Sequence, residues 1–450
     1  MRIAFLVHRF PAISETFISR QIVGLIDLGH EVDIYSERSP HPGEPVHAEF
    51  ERYALRERTS YLDIEMPVES GYWSMPIHPV WAKTWLPGAE KPILNAVRVI
   101  RAMPTFLRSF AAAPALTMEV LQPRSYFEQA RTLEALYHLS SLSGRAGKYD
   151  VIHAHFGPVA NNLRFARDIW KAPLVVTFHG YDYCSVPREQ GRHIYDRLFR
   201  DADAVMAISN YARTKLEELG CSTEKIRVLH TGVCLANFPY HPRTLGEGET
   251  VRILAVGRLV EKKGFEFAIR AMALVRRKYP NLRYDIIGDG PLRMELQQLI
   301  RELGLEEVVY LLGTANSDFV RERLAQAHLF LMASVTASDA DQEGIPVSLM
   351  EAQATGLPVL STVHSGIPEL VADGASGTLV PERDIEALAD RLLHLIEHSS
   401  EWPRMGREGR EIVEARFNIT TLNHDLARLY QEVCTKFVAH KKSTPTTSTK

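Results

Sequence analysis

Two glutamates, Glu343 and Glu351, stand eight residues apart in a stretch whose other side chains are mostly apolar or small. Glu351 is the only Asp, Glu, Lys or Arg in 344–368. A carboxylate is costly to bury unpaired, so Glu351 should meet a cation or polar ligand, or else face water as an ordinary helix residue. Pro346 predicts the start of a helix and Gly356 its end, which puts Glu343 in the preceding loop and Glu351 on the helix. The free N–H groups at such a helix start also suit a phosphate.

A second group of candidate residues lies in G-R-L-V-E-K-K-G, residues 257–264, directly after an apolar run that predicts a strand. Arg258 and Lys263 bracket the turn, and Gly257 and Gly264 permit a close approach of the backbone. Two cations at the carboxyl end of a strand suit a diphosphate and would stabilise it as a leaving group. The alternative is a charged loop that only faces water.

His179 is the third candidate, in T-F-H-G-Y-D at the end of another predicted strand. Gly180 beside it would let the backbone approach a ligand, although a lone histidine is more often structural than catalytic. His153 and His155 alternate along a preceding strand and therefore face the same side. No acidic partner is spaced to form a metal site with them, so we expect structural or cleft-lining roles for both.

These candidates follow strands in two series of alternating strands and helices. Residues 236–250, rich in Pro, Gly and polar side chains, separate the two series as a linker. The repeated alternation predicts two doubly wound α/β domains, whose ligands bind beyond the carboxyl ends of the strands. We place the domains at 1–240 and 241–415, followed by a helix at 416–438 and a polar, disordered tail at 439–450.

Composition and charge exclude several classes of protein. With 450 residues, 45% hydrophobic and 24% charged, the chain has the composition of an ordinary two-domain globular protein. A net charge of −3 gives no basis for sequence-independent nucleic-acid binding. Four scattered cysteines favour a reducing compartment over a disulfide framework. No signal peptide or transmembrane stretch is recognisable, so we expect a cytoplasmic protein.

Taken together, the motifs resemble those of the family 4 retaining glycosyltransferases, which have the GT-B fold of two Rossmann-like domains facing a cleft. The resemblance covers nearly the whole chain and rests on four motifs in a fixed order. They are G-R-L-V-E-K-K-G at 257–264, I-G-D-G-P at 287–291, the E-x7-E pair Glu343/Glu351, and H-S-G-I-P-E-L at 364–370. The resemblance implies that 1–240 is the acceptor-side domain and 241–415 the domain that binds a nucleotide-sugar donor. It also implies that the helix at 416–438 packs back on the first domain.

The same resemblance implies a role for each matching residue. Glu343 and His179 would act at the reaction centre, with Glu343 beside the donor sugar and His179 lining its pocket from the other domain. Arg258 and Lys263 would hold the donor diphosphate, and Glu351 would accept hydrogen bonds from the ribose hydroxyls. The remaining donor-binding residues would be Gly257, Gly344 and Ile345.

The opening F-P-A-I-S-E-T-F-I resembles a narrower group within this family that acts in exopolysaccharide assembly, including colanic acid-type enzymes. It stands where many members have a glycine-rich loop that borders the acceptor. Ser14, Glu15 and Thr16 would then be acceptor-side residues of the cleft. The equal alternative is that Ser14 only caps the helix that follows.

Residues 40–145 fit the strand–helix alternation least well. Three tryptophans there precede an apolar run, 94–110, that three arginines interrupt. A basic amphipathic stretch with aromatic neighbours is typical of peripheral contact with an anionic membrane, here at its inner face. The alternative is a helix packed on its own domain. The residues concerned are Trp73, Trp81, Trp85, Arg98, Arg101 and Arg108.

We therefore predict a retaining transferase that moves sugar from a nucleoside-diphosphate sugar to a saccharide or lipid-linked saccharide, without a cofactor or metal. Arg258, Lys263 and a helix N-terminus would offset the charge of the departing diphosphate. The letters D-A-D at 201–203 match a metal-binding motif, but they precede a predicted strand and we discount them. Two alternatives remain open: a nucleotide-sugar epimerase of the same fold and a non-catalytic sugar-binding scaffold.

Overall fold

Two parallel sheets organise the protein, one in each half of the chain. The structure is a computed structural model that describes residues 1–12, 15–40, 48–62, 91–143 and 148–443. Strands and helices alternate in both halves, and every strand pair is parallel. The prediction of two doubly wound α/β domains is therefore confirmed.

The first domain contains seven strands in the order β3-β2-β1-β4-β5-β6-β7. They are Arg2–Arg9 (β1), Glu31–Arg38 (β2), Thr59–Tyr61 (β3), Val151–His155 (β4), Leu174–Phe178 (β5), Ala204–Ala207 (β6) and Ile226–Val228 (β7). Strands β4, β5 and β6 are buried along their whole length, as a parallel sheet covered on both faces requires. The strand order reverses between β1 and β4, which places a ligand-binding crevice at their carboxyl ends.

Eleven described helices accompany these strands. They are Thr16–Asp27 (α1), Ala48–Arg52 (α2), Lys91–Ala112 (α3), Pro114–Val120 (α4), Pro123–Thr132 (α5), Glu134–Ser143 (α6), Gly157–Leu163 (α7), Ala166–Trp170 (α8), Ser185–Gln190 (α9), Asp196–Asp201 (α10) and Asn210–Glu218 (α11). Glu15 occupies the N-cap position of α1, and its side chain forms no capping hydrogen bond within the described residues. The predicted cap, Ser14, lies outside them.

Four consecutive helices, α3 to α6, separate β3 from β4 in the region predicted to depart from the alternation. The run 94–110 is helical, and the apolar side chains on one face of α3 have exposed fractions between 40% and 70%. They are Val99, Ile100, Met103, Leu107 and Phe110. Arg108 is also exposed, whereas Trp73, Trp81 and Trp85 lie outside the described residues. In the described ranges, none of the helices has the length and hydropathy of a membrane span.

The second domain contains six strands in the order β10-β9-β8-β11-β12-β13. They are Val251–Val256 (β8), Leu282–Ile287 (β9), Val309–Gly313 (β10), Leu329–Leu331 (β11), Val359–Thr362 (β12) and Gly377–Val380 (β13). The helices are Phe265–Lys278 (α12), Arg293–Glu302 (α13), Ser317–Gln326 (α14), Val347–Ala354 (α15), Ile367–Leu370 (α16), Ile385–Glu397 (α17) and Trp402–Arg416 (α18). Apolar side chains on both sides of this sheet form its core.

The last helix, Ile419–Ser443 (α19), returns from the second domain to the first. Asn423 Nδ2 donates to the carbonyl oxygen of Arg20 in α1 at 3.4 Å, and the Tyr430 hydroxyl lies 2.5 Å from His153 Nδ1 in β4. The helix extends beyond the predicted end at 438, so 439–443 are helical and the prediction of disorder there is wrong. The tail 444–450 lies outside the described residues.

Candidate active site

The carboxyl ends of the two sheets meet at a close contact between two loops. A Cβ added to Gly180, in the loop after β5, would lie 3.0 Å from the carbonyl oxygen of Gln342, in the loop before α15. A Cβ added to Gly344 would lie 3.0 Å from the carbonyl oxygen of His179 and would overlap Ile208. The glycines in both predicted motifs are therefore needed because the domains touch there.

Asp182 fixes the shape of the loop that carries His179. Its buried carboxylate accepts hydrogen bonds from the backbone N–H groups of His179, at 2.9 Å, and Gly180, at 2.8 Å. A third bond, at 3.1 Å, comes from the N–H of Gly157 at the start of α7. Burial raises the pKa of Asp182 to about 6, against the opposing effect of these backbone donors. No sequence pattern singles out Asp182, which holds two loops together.

His179 is not the lone histidine that the sequence suggests. Its Nε2 lies 2.9 Å from Nδ1 of His155, and the two rings stack at 5.1 Å. The rings of Phe17 and Phe156 contact it at 4.7 and 4.5 Å. Burial, reinforced by His155, lowers the pKa of His179 well below its ordinary value. His179 is thus a neutral, firmly oriented imidazole at the domain boundary.

Glu343 and Lys263 form an ion pair inside the cleft. Lys263 Nζ lies 2.9 Å from Glu343 Oε1, and both side chains are largely buried. Burial alone would raise the pKa of Glu343, but the charges of Lys263 and Lys262 hold it below its ordinary value. Two motifs that lie 80 residues apart therefore meet as a carboxylate and its cation.

The turn after β8 carries two lysines that are paired or buried and an arginine, Arg258, that is exposed. Lys262 Nζ pairs with Asp341 Oδ2 at 2.8 Å, so both lysines of the turn face the loop before α15. Gly264 has a φ of +64°, and a Cβ there would overlap the carbonyl oxygen of Ala333. Arg258 is exposed and forms no ion pair with the described residues. Its guanidinium is accessible to an anionic ligand.

Glu351 lies on α15 and is not solvent-facing, so the alternative of an ordinary exposed helix residue is wrong. Its Oε1 accepts from Arg20 Nη2 at 3.0 Å, and only 12% of its side chain is exposed. Arg20 belongs to α1 of the first domain, so this bond joins the two domains. The sequence did not single out Arg20.

Residues around the start of α15 hold Glu343 in place. His364 Nε2 accepts from the backbone N–H of Glu343 at 3.1 Å, while His364 Nδ1 lies 2.6 Å from Glu382 Oε1. The carbonyl oxygen of Gly344 accepts from the N–H of Gly366 at 3.2 Å. Ile345 is buried in the core of the second domain. The H-S-G motif is thus a support for the carboxylate, a role that its letters alone did not indicate.

Near Lys263, Gly257 leaves room for that side chain, because a Cβ at Gly257 would lie 3.2 Å from Lys263 Cε. On the first domain, Glu15 and Thr16 are partly buried at the start of α1, next to Phe17, which contacts His179. The structure thus brings Glu15 and Thr16 to the same edge of the cleft as the histidine. Ser14 is outside the described residues.

A histidine–carboxylate dyad that sequence reasoning missed lies on this edge. His8, near the end of β1, places Nδ1 2.9 Å from Glu37 Oε2 near the end of β2. Asn162 Nδ2 donates to the other oxygen of Glu37 at 2.9 Å. The feature of the sequence that could have revealed this dyad is a polar residue at the carboxyl end of each of two adjacent parallel strands.

The D-A-D letters at 201–203 have a structural role. Asp203 accepts two hydrogen bonds from Arg167, at 2.9 and 3.0 Å, and one from the N–H of Leu174 at 2.8 Å. Across the described ranges, no group of three or more His, Cys, Asp or Glu side chains is arranged to bind a metal ion.

Two family models match successive parts of the chain, one for each domain. Residues 14–232 match a glycosyl transferase 4-like domain, and residues 240–412 match glycosyl transferases group 1.

Full-length relatives carry glycosyltransferase names. A Salmonella typhimurium protein named for colanic acid biosynthesis as a glycosyltransferase is 35% identical over 443 residues, covering 96% of this chain and 100% of the relative. An amylovoran biosynthesis glycosyltransferase of Erwinia amylovora is 33% identical over 442 residues, with the same two coverages.

Solved structures share the two-domain architecture. Anabaena HepE in complex with UDP and glucose aligns with a TM-score of 0.65 at 19% identity, covering 96% of this chain and 100% of HepE. Sucrose-phosphate synthase from Thermosynechococcus elongatus aligns with a TM-score of 0.65 at 18% identity, covering 96% and 99%. The fold is GT-B. Together with the family models and the full-length relatives, these findings show that the chain belongs to the group 1, family 4-like glycosyltransferases and is an enzyme of that class.

Proposed function

We propose that the chain is a retaining glycosyltransferase of exopolysaccharide assembly that uses a nucleoside-diphosphate sugar. The names of the two full-length relatives, for colanic acid and amylovoran biosynthesis, support this class of product. HepE, of the same fold, has been solved with UDP and glucose, which supports a nucleotide-sugar donor.

The observation that carries the proposal is the buried Lys263–Glu343 pair at 2.9 Å, next to the loop of His179. A buried cation beside an accessible one, Arg258, suits a diphosphate with two negative phosphates. Glu351, on the adjoining helix, is placed to accept hydrogen bonds from a ribose once Arg20 releases it. Backbone groups of Gly257, Gly344 and Ile345 complete the donor side.

In the proposed reaction, the bond between the anomeric carbon and the diphosphate oxygen breaks, and the acceptor oxygen bonds to the same face of that carbon. The electron pair leaves with the diphosphate, and the acceptor hydroxyl gives its proton to the departing phosphate oxygen. Arg258 and Lys263 stabilise the charge that develops on this leaving group, so no metal ion or cofactor is needed. Glu343 and His179 flank the sugar, with Glu343 opposing the positive charge at the anomeric carbon.

The acceptor approaches from the first domain in this proposal. Ser14, Glu15 and Thr16 precede or begin α1, whose Phe17 contacts His179 at 4.7 Å. A saccharide at this edge would have its reacting hydroxyl next to the sugar pocket. Contacts at this edge would select the acceptor and set the linkage.

We also propose that α3 contacts an anionic membrane, at its inner face, where a lipid-linked acceptor would be anchored. Support comes from the apolar side chains that α3 exposes, including Ile100 at 70% and Leu107 at 60%. Met118 in the following helix α4 is also exposed, at 50%. Each cation near an anionic surface adds about 1 kcal/mol of attraction, and Arg108 is exposed on this helix.

The donor assignment is tested by a thermal-shift screen of nucleoside diphosphates and nucleotide sugars, because a ligand that binds only the folded state raises Tm. One nucleoside diphosphate should raise Tm, and the corresponding nucleoside should not. A Lys263→Ala variant that is folded should lose the shift. If no nucleotide or nucleotide sugar stabilises the wild type, the donor assignment is wrong.

A further inference from the structure

The dyad of His8 and Glu37 combines a buried carboxylate with an accessible imidazole. Glu37 is 5% exposed and both of its oxygens accept hydrogen bonds, whereas 48% of the His8 side chain is exposed. Burial would raise the pKa of Glu37, but the hydrogen bond and charge of His8 bring it below its ordinary value. Glu37 is therefore an ionised group that can only accept.

This arrangement fixes the tautomer of His8. An ionised carboxylate cannot donate, so His8 Nδ1 carries the proton that Glu37 accepts. Neutral His8 then has a lone pair on Nε2, the nitrogen away from the dyad. Asn162 holds Glu37 from the other side, so the carboxylate and the imidazole are both oriented before any ligand arrives. The dyad offers the cleft one strong hydrogen-bond acceptor.

Two aromatic side chains, Phe156 and Tyr181, lie near His179. The parallel register pairs Leu6 of β1 with Ala154 of β4, which places His8 level with Phe156. The Phe156 ring lies 4.5 Å from that of His179 and 5.5 Å from that of Tyr181. Tyr181 is 38% exposed. Burial raises the pKa of Tyr181, and the charges of Asp182, Glu15 and Glu37 add to the rise, so the Tyr181 ring and the His8–Glu37 dyad lie close to one another.

We propose that His8 and Tyr181 form a subsite for the acceptor saccharide. His8 Nε2 accepts a hydrogen bond from a sugar hydroxyl, and the Tyr181 ring packs on the apolar face of a sugar ring. Glu37 is a positioning residue, since it acts through His8. A sugar suits this subsite because it offers both hydroxyl donors and an apolar face of C–H groups. The inference rests on the proposed function and extends its acceptor side beyond Ser14–Thr16.

Two substitutions of His8 distinguish the role of Nε2, which accepts from the sugar, from the role of Nδ1–H, which donates to Glu37. In His8→Asn, the amide N–H replaces Nδ1–H and the position of Nε2 is left empty. In His8→Gln, the amide reaches the position of Nε2. We expect His8→Asn to raise the acceptor KM about tenfold, as loss of one buried hydrogen bond implies, and His8→Gln to recover part of that loss.

Tyr181 has a matched control in the same domain. Tyr61, in β3, is 37% exposed, almost as much as Tyr181, but it lies in the edge strand, with β2, β1 and β4 between it and the strand that precedes Tyr181. We expect Tyr181→Ala to raise the acceptor KM and Tyr61→Ala to leave it unchanged. Neither change should alter the Tm shift caused by the nucleoside diphosphate, which reports on the second domain.

The pH profile tests the role of Glu37. The hydrogen bond that His8 donates to Glu37 raises the pKa of His8, burial and Arg38 oppose the rise, and the charges of Glu37 and Glu15 add to it. Protonation at Nε2 removes the lone pair that accepts from the sugar hydroxyl, so transfer should fall as the pH drops through this pKa. In Glu37→Gln the pKa of His8 falls, so the acid limb should move to lower pH. The new amide N–H can donate to Nδ1, which leaves the proton of neutral His8 on Nε2. Nε2 then no longer accepts from the sugar, so the acceptor KM at neutral pH should rise.

The assay measures transfer to the lipid-linked saccharide fraction extracted from cells that lack this chain, alongside nucleotide binding by Tm. A wild type that transfers no sugar overturns the proposed function and the subsite with it. An active wild type with an unchanged acceptor KM in His8→Asn and Tyr181→Ala overturns the subsite alone. Loss of nucleotide binding together with transfer would show a structural role and would also overturn it.

Discussion

Arg20 Nη2 and Glu351 Oε1 lie 3.0 Å apart and join α1 of the first domain to α15 of the second. The two residues are 331 positions apart in the chain, and their side chains are 14% and 12% exposed. Glu351 is the residue that we propose for the ribose. In that proposal, the carboxylate that joins the two domains through Arg20 is also the one that accepts from the donor ribose.

The first prediction concerns competition for Glu351. Arg20→Ala should bind the preferred nucleoside diphosphate about fivefold more tightly. In the wild type the donor must break the Arg20–Glu351 ion pair at a cost of about 1 kcal/mol, and the variant avoids this cost. Isothermal titration calorimetry with UDP and GDP measures the difference. Glu351→Gln is the control and should bind more weakly. Weaker binding by Arg20→Ala would mean that Arg20 contacts the nucleotide instead.

A second prediction follows from the pair of Lys263 and Glu343. The pKa of Glu343 is depressed in the folded protein, so its carboxylate stabilises the fold at neutral pH. This contribution is lost as the pH falls through that pKa. In Lys263→Met, burial acts against a weaker opposing charge, so Glu343 should protonate at higher pH. Donor binding should weaken, turnover should fall, and the acid limb of the rate profile should move to higher pH.

Lys262→Met is the control for that experiment, because Lys262 pairs with Asp341 and not with Glu343. Its acid limb should move less than that of Lys263→Met. Equal profiles in wild type and Lys263→Met would contradict the assignment of Lys263 to the donor site.

A third prediction concerns metal ions. Because two cations of the chain are proposed to neutralise the diphosphate, activity should be unchanged after treatment with a chelator. The measurement is the rate of nucleoside diphosphate release before and after chelation. Loss of activity that magnesium or manganese restores would show that the leaving group needs a metal ion.

The membrane contact of α3 gives the fourth prediction. An Ile100→Asp/Leu107→Asp variant should co-sediment less with anionic vesicles than the wild type, because it removes apolar contacts and adds repulsion. Met294→Asp, at a 75% exposed position in α13, is the matched control and should bind as the wild type does. Wild-type binding should also fall with salt and in an Arg98/Arg101/Arg108→Glu variant. Wild type that stays in the supernatant at low salt would exclude the contact.

Local patterns predicted much of the fold. Pro346 and Gly356 flank helix α15 as the sequence indicates, and the strand before His179 is buried throughout. Such features depend on neighbouring residues, whose spacing is visible in the sequence. Glu351 stands out in the sequence as a charge in an apolar stretch, and Glu343 by its spacing from Glu351. Their positions on the helix and in the loop follow from the sequence, while their partners do not.

Partners come from tertiary contacts that a single sequence does not encode locally. Arg20 lies in an ordinary amphipathic helix, and nothing in its neighbours points to Glu351. Glu37 follows the polar positions of β2 as a solvent-facing side chain would, yet its carboxylate is buried and accepts from His8 and Asn162. The end of α19 was set too early because the polar letters after 438 do not reveal that the helix continues to Ser443.

We propose above all that this cleft transfers a sugar from a nucleotide to a saccharide acceptor. This proposal is tested by incubating the chain with the nucleotide sugar selected by thermal shift, with and without lipid-linked saccharide from cells that lack the chain. We expect nucleoside diphosphate to be released mainly when acceptor is present, and the acceptor to gain the mass of one sugar. Conversion of the nucleotide sugar to an isomer without acceptor, or no acceptor-dependent release with any nucleotide sugar that binds, would contradict it.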